Sequence, residues 1–330
     1  MLRSLMAVVM MGWTMCSAQA RTGCEKLLDL VEDVPLPGAA VRFDYQSMDA
    51  DHGRLYIAHM NDDRLVVFDT ASRKVVANLD GFKRVHGVIA VPDSDRVFAS
   101  ATGDHRMIAL DTKTLEIVGK AGPIDYPDGL AYVPAVMRVF VSDEHGAVEA
   151  VVNAASGKLI KNIPLGGGAG NTVFDPISRR ILVAVHGVNE LVEIDPEKMT
   201  IVARHKLSGV QNPHGIALDI KNRLAFVAGE ENASLGVFDL KEGKQLAVHR
   251  VGDDPDVLAF DAGLNLLYVS AESGTVTLFH ETGRELVATG HCNMPHAHSV
   301  SIDPKTHFVY FPLENISGKP VLRIMKPKKN

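Results

Sequence analysis

The sequence predicts an all-β fold, a seven-bladed β-propeller whose ring is closed by an N-terminal strand that completes the last blade. Seven similar segments follow one another at intervals of 42 residues, with one interval of 44. So regular a period is typical of a repeat architecture in which each segment forms one blade. The segments begin near Asp44, His86, Asp128, Gly170, His214, Asp256 and His298.

Each segment contains four short apolar stretches, as expected for the four strands of a blade. Examples of the successive stretches are residues 215–218, 266–269, 65–68 and 74–79. They are rich in Val, Ile, Phe and Tyr and are separated by polar residues and glycines. Aspartate recurs at one turn position and caps turns through its own side chain. These turn residues are Asp49, Asp175, Asp219, Asp261 and Asp303.

The seventh segment is one strand short, because the chain runs into Pro and Lys after residues 321–324. Residues 30–36 have no blade of their own and precede Asp44 at the distance where other blades carry a fourth strand. We therefore expect this segment to complete the last blade, which removes an exposed sheet edge. A single propeller domain over residues 21–330 follows.

Residues 1–20 have the features of a cleavable signal peptide: Arg3, an apolar stretch over 5–13, and Ala-Gln-Ala at 18–20. The sequence therefore predicts a periplasmic or secreted protein. No later segment approaches the roughly 20 apolar residues needed to span a bilayer. An oxidising compartment permits a disulfide between Cys24 and Cys292, but the sequence leaves that pairing open.

The composition argues against several classes of function. The formal net charge is -6 and the basic residues are scattered, so no nucleic-acid partner is expected. There is no Cys-x-x-Cys-His haem motif and no Gly-x-Ser-x-Gly nucleophile elbow. We expect a monomer that meets a small-molecule ligand or a protein partner at the rim of its channel.

The repeat motifs resemble those of the YVTN-repeat, YncE-like family of exported propellers. They include residues 54–58, 267–270 and 212–217, and the resemblance covers nearly all of the chain after residue 20. It implies the seven-bladed fold. It does not select one function, because that family contains binding proteins as well as members without an assigned activity.

The first position of the repeat carries the candidate ligand-binding residues. The first strand of a propeller blade lines the central channel, and six of the seven residues at its start are ionisable. The second strand returns to the same rim sixteen residues later, where Glu144, His186, Glu230, Glu272 and Glu314 stand. We predict ligand contacts from Asp44, His86, Asp128, His186 and Asp256.

A divalent cation is the cofactor that such a rim would take, because imidazole and carboxylate are common metal ligands. The predicted metal ligands are Glu230, Glu272, His296 and Glu314, and the ion is left open among Mg, Ca, Zn and Cu. His214 and His298 are the candidate catalytic bases. The layout resembles streptogramin B lyases, which use a rim histidine and a carboxylate-held magnesium, although His296-x-His298 replaces their Glu-x-His.

Three functions remain open at this stage. The favoured one is a binding protein that holds a small ligand, a metal or a partner protein at the rim. The second is a metal-dependent lyase or lactonase-like hydrolase at the same place. The third is copper handling by the run 291–298, in which Cys292 and Met294 are soft ligands. In the competing interpretation of that run, Cys292 is oxidised or buried and Met294 packs against a neighbouring blade.

Overall fold

The computed structural model describes residues 23–328, and they form seven four-stranded antiparallel sheets. Each sheet is one blade, so the predicted seven-bladed β-propeller is confirmed. The predicted signal peptide at residues 1–20 lies outside the described residues. No helix in residues 23–328 is long and apolar enough to cross a membrane.

Blades 1–6 each contain four consecutive strands of the chain. The strands of blades 1 to 3 are β2 (Gln46–Asp49), β3 (Arg54–His59), β4 (Arg64–Asp69), β5 (Lys74–Leu79); β6 (Val85–Val91), β7 (Arg96–Ala101), β8 (Arg106–Asp111), β9 (Ile117–Ala121); and β10 (Pro127–Val133), β11 (Arg138–Asp143), β12 (Val148–Asn153), β13 (Leu159–Pro164). Those of blades 4 to 6 are β14 (Ala169–Asp175), β15 (Arg180–Val185), β16 (Glu190–Asp195), β17 (Thr200–Lys206); β18 (Pro213–Asp219), β19 (Leu224–Gly229), β20 (Ser234–Asp239), β21 (Lys244–Arg250); and β22 (Pro255–Asp261), β23 (Leu266–Ala271), β24 (Thr275–Thr282), β25 (Glu285–Asn293).

Blade 7 combines both ends of the chain. It contains β26 (Ser301–Ile302), β27 (Val309–Ile316), β28 (Lys319–Pro327) and, on its outer edge, β1 (Leu28–Pro35). Short 3-10 turns complete the secondary structure at Cys24–Lys26, Met60–Asp62, Pro92–Ser94, Thr102–Asp104 and Pro134–Val136.

The burial of the strands explains their sequence patterns. The second and third strands of a blade pack between the two neighbouring blades and are buried on both faces, as in β19 and β20. Such strands are continuously apolar. The fourth strands alternate between exposed and half-buried residues, as in β17 and β21, because only one face is covered. The core therefore lies between the blades.

The recurrent aspartates hold the turns, as predicted. Asp49 Oδ1 accepts a hydrogen bond from the His52 amide at 3.0 Å, and Asp303 Oδ1 accepts one from Lys305 at 2.9 Å. Equivalent bonds at the other repeats keep the hairpins short. These side chains shape the blade edge and take no part in the channel.

The N-terminal strand closes the ring, as predicted. β1 pairs with β28 in an antiparallel register that runs from Leu28 opposite Pro327 to Pro35 opposite Val321. Arg323 holds Asp33 across the two strands through two hydrogen bonds of 2.8 and 2.6 Å.

A disulfide adds a covalent link beside this closure. Cys24, which precedes β1, is bonded to Cys292 at the end of β25, and the two Cα atoms are 4.6 Å apart. The bond joins residues 268 positions apart and fastens the outer strand of blade 7 to blade 6. The pairing that the sequence left open is therefore present.

Removal of β1 tests the contribution of closure apart from the disulfide. In a Cys24→Ser/Cys292→Ser background, deletion of residues 28–35 should lower the melting temperature sharply and promote aggregation. Leu28 and Val34 lose their burial, each worth about 1.5–3 kcal/mol, and β28 becomes an exposed edge. The double serine variant is the control. Equal melting curves for the two proteins would contradict this account of closure.

Blade 3 contains a carboxyl group without a hydrogen-bond partner. Glu149 on β12 is fully buried, and neither of its oxygens nor the nearby Thr172 hydroxyl has a partner. The pKa of Glu149 is raised to about 8, mainly by burial. The nearby Thr172 hydroxyl lowers this pKa, and the negative charge of Asp143 raises it. The folded protein therefore favours the neutral carboxyl.

Replacement of Glu149 by Gln should flatten the pH dependence of stability. Because the folded pKa is raised, the stabilising effect of the neutral acid is complete below about pH 4.5 and is lost as the pH rises toward 8. As the pH rises, the wild type should therefore lose up to about 5 kcal/mol of unfolding free energy relative to Glu149→Gln. Urea unfolding at pH 5 and pH 8 measures it. A pH-independent difference would contradict the raised pKa.

Candidate metal and ligand site at the channel mouth

Nine of the predicted rim residues converge on one mouth of the central channel. They line a cavity of about 260 Å³, to which the first strands contribute Asp44, His86, Asp128, His214 and Asp256, and the ends of the second strands Glu144, His186, Glu230 and Glu272. The described lining carries seven acidic side chains and one arginine. The arrangement attracts cations.

Two histidines and a glutamate from blades 4 and 5 form a group that we call site A. His186 Nε2 lies 3.0 Å from His214 Nδ1, and His214 Nδ1 lies 3.3 Å from Glu230 Oε1. One ligand atom from each of these residues lies within 4.8 Å of the others. Two ligand atoms bound at about 2.1 Å to one ion lie roughly 3.0–3.4 Å apart at angles of about 90–109°. The observed separations match that range.

Gly170 makes room for site A. It occupies the first repeat position, where every other blade has an ionisable residue. A Cβ atom at Gly170 would lie 2.8 Å from His186 Nε2 and 2.9 Å from His214 Cα. The missing side chain therefore lets the two imidazoles meet.

Each site A histidine turns its second nitrogen toward an oxygen. His214 Nε2 lies 3.0 Å from the Tyr45 hydroxyl, 3.5 Å from Asp256 Oδ1 and 3.7 Å from Asp128 Oδ2. His186 Nδ1 lies 3.8 Å from Glu144 Oε1. Of these oxygens, only the Tyr45 hydroxyl makes a hydrogen bond, which orients the His214 ring as oxygen partners orient metal-binding histidines.

The protonation equilibria at site A reflect burial and crowding. Burial and, to a smaller extent, a positive charge on His214 together lower the pKa of His186 to about 3. Burial also raises the pKa of Glu230 to about 8, with the charge of Asp254 adding to the effect. Asp128 shows the same direction, because burial and the charges of neighbouring carboxylates raise its pKa far above the usual value. A bound cation would relieve the cost of ionising these carboxyl groups.

A second group, which we call site B, lies in blades 6, 7 and 1. Asp44, Asp256 and His298 each offer a ligand atom within 4.8 Å of the others, and all three side chains are buried. His298 Nε2 is 4.0 Å from Asp44 Oδ1. His86 Nε2, from blade 2, approaches Asp44 Oδ2 at 3.9 Å.

Arg42 is a rim residue that the repeat analysis missed. It forms an ion pair of 2.6 Å with Glu272 and lies 3.9 Å from Asp256 Oδ2. Glu272, predicted as a metal ligand, is thus held by a guanidinium group and belongs to neither site A nor site B. A signal was available, because in three blades the residue two positions before the first-strand residue also reaches the mouth. Arg42, Tyr126 and Asp254 occupy it.

His296 and Glu314 pair with each other at the edge of the mouth. His296 Nδ1 is 3.5 Å from Glu314 Oε2, and about half of the His296 side chain is exposed. The sixteen-residue spacing of the repeat predicts that Glu314 lies beside His298, but His298 turns inward to Asp44. Of the four predicted metal ligands, site A includes Glu230, while Glu272, His296 and Glu314 lie outside both sites.

Tyr45 divides the channel, and sequence reasoning did not single it out. Its buried ring on blade 1 reaches His214 on blade 5 and lines two cavities. The second cavity, of about 290 Å³, is lined mainly by apolar residues such as Val88, Leu130 and Phe260. Tyr45 thus stands between a polar mouth and a more apolar part of the channel.

A tyrosine and a histidine form a hydrogen-bonded pair in the wall of the mouth. His86 Nδ1 lies 2.8 Å from the Arg84 carbonyl oxygen, to which it can only donate. In the neutral ring, His86 Nε2 is then an acceptor, and the Tyr126 hydroxyl at 3.1 Å donates to it. The backbone therefore fixes the tautomer that places the proton on Tyr126.

The soft-ligand run 291–298 does not form a copper site in this structure. The Cys292 sulfur is bonded to Cys24 and is not a free thiolate. Met294 is buried in an apolar cluster, while His291 is exposed. The copper hypothesis therefore loses its thiolate ligand, because Cys292 is held in a disulfide.

Comparison with known proteins identifies the fold. No family model matches the chain, and no curated protein matches it. Among solved structures, Kuenenia stuttgartiensis hydrazine synthase is similar, with a TM-score of 0.72 and 14% sequence identity over 94% of this chain and 99% of that one. At this identity the similarity shows the propeller fold and carries no activity to this chain.

His186 of site A and His298 of site B should stay neutral in mildly acidic solution. Burial lowers the pKa of His186 to about 3 and that of His298 to about 4. In metal-free protein at pH 5.5, nitrogen NMR shifts should report neutral rings for both, whereas an unperturbed histidine titrates near 6.5. His186→Gln and His298→Gln assign the signals. Protonation of both rings near pH 6.5 would contradict the described environment.

Proposed function

We propose that this chain is a binding propeller that holds a divalent transition-metal ion in site A and uses it to bind a small ligand at the channel mouth. The observation that carries the proposal is the convergence of His186 Nε2, His214 Nδ1 and the Glu230 carboxylate. Three protein ligands leave at least one coordination position for an exogenous donor. The adjoining cavity of about 260 Å³ accommodates a small molecule.

The donor set favours a borderline metal such as Zn²⁺ over Mg²⁺ or Ca²⁺. Two imidazole nitrogens suit zinc and its neighbours, whereas magnesium and calcium prefer all-oxygen shells. One glutamate and two neutral histidines leave a net charge of +1 on a divalent ion. An oxygen or nitrogen donor of the ligand would complete the coordination.

The protein is proposed to act outside the cytoplasm. The Cys24–Cys292 disulfide supports this, because such bonds persist in oxidising compartments. The signal-like residues 1–20 and the repeat motifs that resemble YncE-like exported propellers point in the same direction.

Zinc titration of site A variants tests the proposal. Chelator-treated wild-type protein should bind one equivalent of zinc at site A, and that equivalent should be lost in His214→Ala and in Glu230→Gln. His296→Ala is the matched control, since it removes an imidazole from the same mouth outside the site. Circular dichroism verifies that each variant folds. Unchanged zinc stoichiometry and affinity in both site variants would refute the proposal.

A metal-assisted lyase or hydrolase is the second candidate function. The His86–Tyr126 pair favours it, because a tyrosine hydroxyl bonded to a histidine can move a proton at the cavity wall. His214 and His298 were predicted as bases, and their catalytic role stays a prediction. Tyr126→Phe should abolish turnover of a lactone or ester while zinc binding persists. Absence of turnover in the wild type across such substrates would leave the binding function alone.

Tyr45→Phe should weaken zinc binding at site A about tenfold. The substitution removes the nearest oxygen to His214 Nε2 and with it part of the orientation of that ring. Competition with a chromophoric chelator measures the affinity. Tyr126→Phe serves as the control, since its hydroxyl bonds to His86 instead. Equal affinities for Tyr45→Phe and the wild type would exclude this orienting role.

A further inference from the structure

We propose that site B binds a second divalent cation, which ties the closing blades of the ring together from inside the channel. The inference is independent of zinc binding at site A. It starts from Asp44, Asp256 and His298, whose exposed fractions are 2, 5 and 2%. Two carboxylates and one imidazole at this depth need a partner of opposite charge or a proton.

Unpartnered atoms point at the space between these residues. His298 Nε2 and Asp256 Oδ1 are both buried and make no hydrogen bond; Asp256 Oδ1 lies 3.5 Å from His214 Nε2, whose hydrogen bond goes to the Tyr45 hydroxyl instead. Asp44 Oδ1 lies 4.0 Å from His298 Nε2, too far for a hydrogen bond and close enough for both to bind one ion. A cation among the three residues would satisfy the two orphaned atoms at once.

Arg42 does not fill this role. Its Nη2 atom is 3.9 Å from Asp256 Oδ2, beyond hydrogen-bonding distance, and its Nη1 atom is engaged by Glu272 at 2.6 Å. The unpartnered oxygen of Asp256 is Oδ1, not the Oδ2 atom that faces Arg42. Arg42 therefore makes no hydrogen bond to Asp256 and leaves Oδ1 of that residue without a donor.

The ligands of site B favour a harder ion than those of site A. Two carboxylates with a single imidazole suit Mn²⁺ or Fe²⁺ as well as Zn²⁺. Two aspartates also neutralise a divalent charge completely. A neutral, buried centre suits a stabilising role better than ligand capture. Burial lowers the pKa of His298 to about 4, so its nitrogen is unprotonated at neutral pH.

The position of site B in the ring gives the ion its role. Asp256 belongs to blade 6, His298 precedes the first strand of blade 7, and Asp44 precedes the first strand of blade 1. Blade 7 contains both ends of the chain, and blades 6 and 1 are its neighbours in the ring. The disulfide and β1 fasten this junction on the outside, and a cation at site B would cross-link it at the axis.

Manganese titration of the folded, chelator-treated protein tests the inference. The amplitude of the free Mn²⁺ signal in electron paramagnetic resonance gives the number of bound equivalents, and melting with and without Mn²⁺ gives the stabilisation. The variants are His298→Ala and Asp256→Asn. His186→Ala disables site A, and His296→Ala is the matched control beside the site.

The inference predicts that Mn²⁺ raises the melting temperature of the wild type, His186→Ala and His296→Ala. It predicts loss of one bound equivalent and of that rise in both His298→Ala and Asp256→Asn. Should His298→Ala fail to fold, Asp256→Asn and the anomalous signal of Mn²⁺ in wild-type crystals decide. No bound Mn²⁺ in the wild type, or equal binding in the site B variants, would overturn the inference. A failure to bind zinc at site A alone would not contradict the inference about site B.

Discussion

Closure of the ring is the constraint on which the rest of this structure depends. When seven blades surround one axis, residues 42 positions apart in the chain become neighbours at the channel mouth. Charged side chains that would be solvated singly are brought together and buried. The Cys24–Cys292 disulfide and the pairing of β1 with β28 hold the junction against that mutual repulsion. The same contacts that complete the fold therefore also form the channel mouth.

Burial drives the acids and the histidines of the mouth in opposite directions. It raises the pKa of Glu230 and Asp256 to about 8 and lowers that of His186 to about 3. Both shifts favour the uncharged forms of these groups when no cation is bound. A divalent ion changes the balance, because it stabilises ionised carboxylates and takes the lone pairs of neutral imidazoles. The electrostatics and the distances in site A thus support the same function.

The sequence predicted the architecture and the rim positions well because the repeat fixes where each residue lies along its strand. The sixteen-residue spacing predicted that Glu230 lies beside His214, and His214 Nδ1 is 3.3 Å from Glu230 Oε1. The repeat could not predict the partner of His298, because the irregular segment before the short β26 turns that ring inward to Asp44. His296 pairs with Glu314 instead. The sequence did not identify Gly170 as a site residue, because its contribution is the room that a missing side chain gives to two imidazoles. In the sequence, Tyr45 resembles an apolar core residue, and only the closed ring shows that it contacts His214 across the channel.

Anomalous diffraction from zinc-soaked crystals is the most direct test of the central claim. At the zinc absorption edge, the account predicts a peak at about 2.0–2.1 Å from His186 Nε2 and His214 Nδ1, with the Glu230 carboxylate completing the protein ligands. A non-protein donor should occupy the side that faces the cavity. A zinc-soaked crystal with no peak between these histidines, and with the 3.0 Å contact of their nitrogens unchanged, would contradict the account.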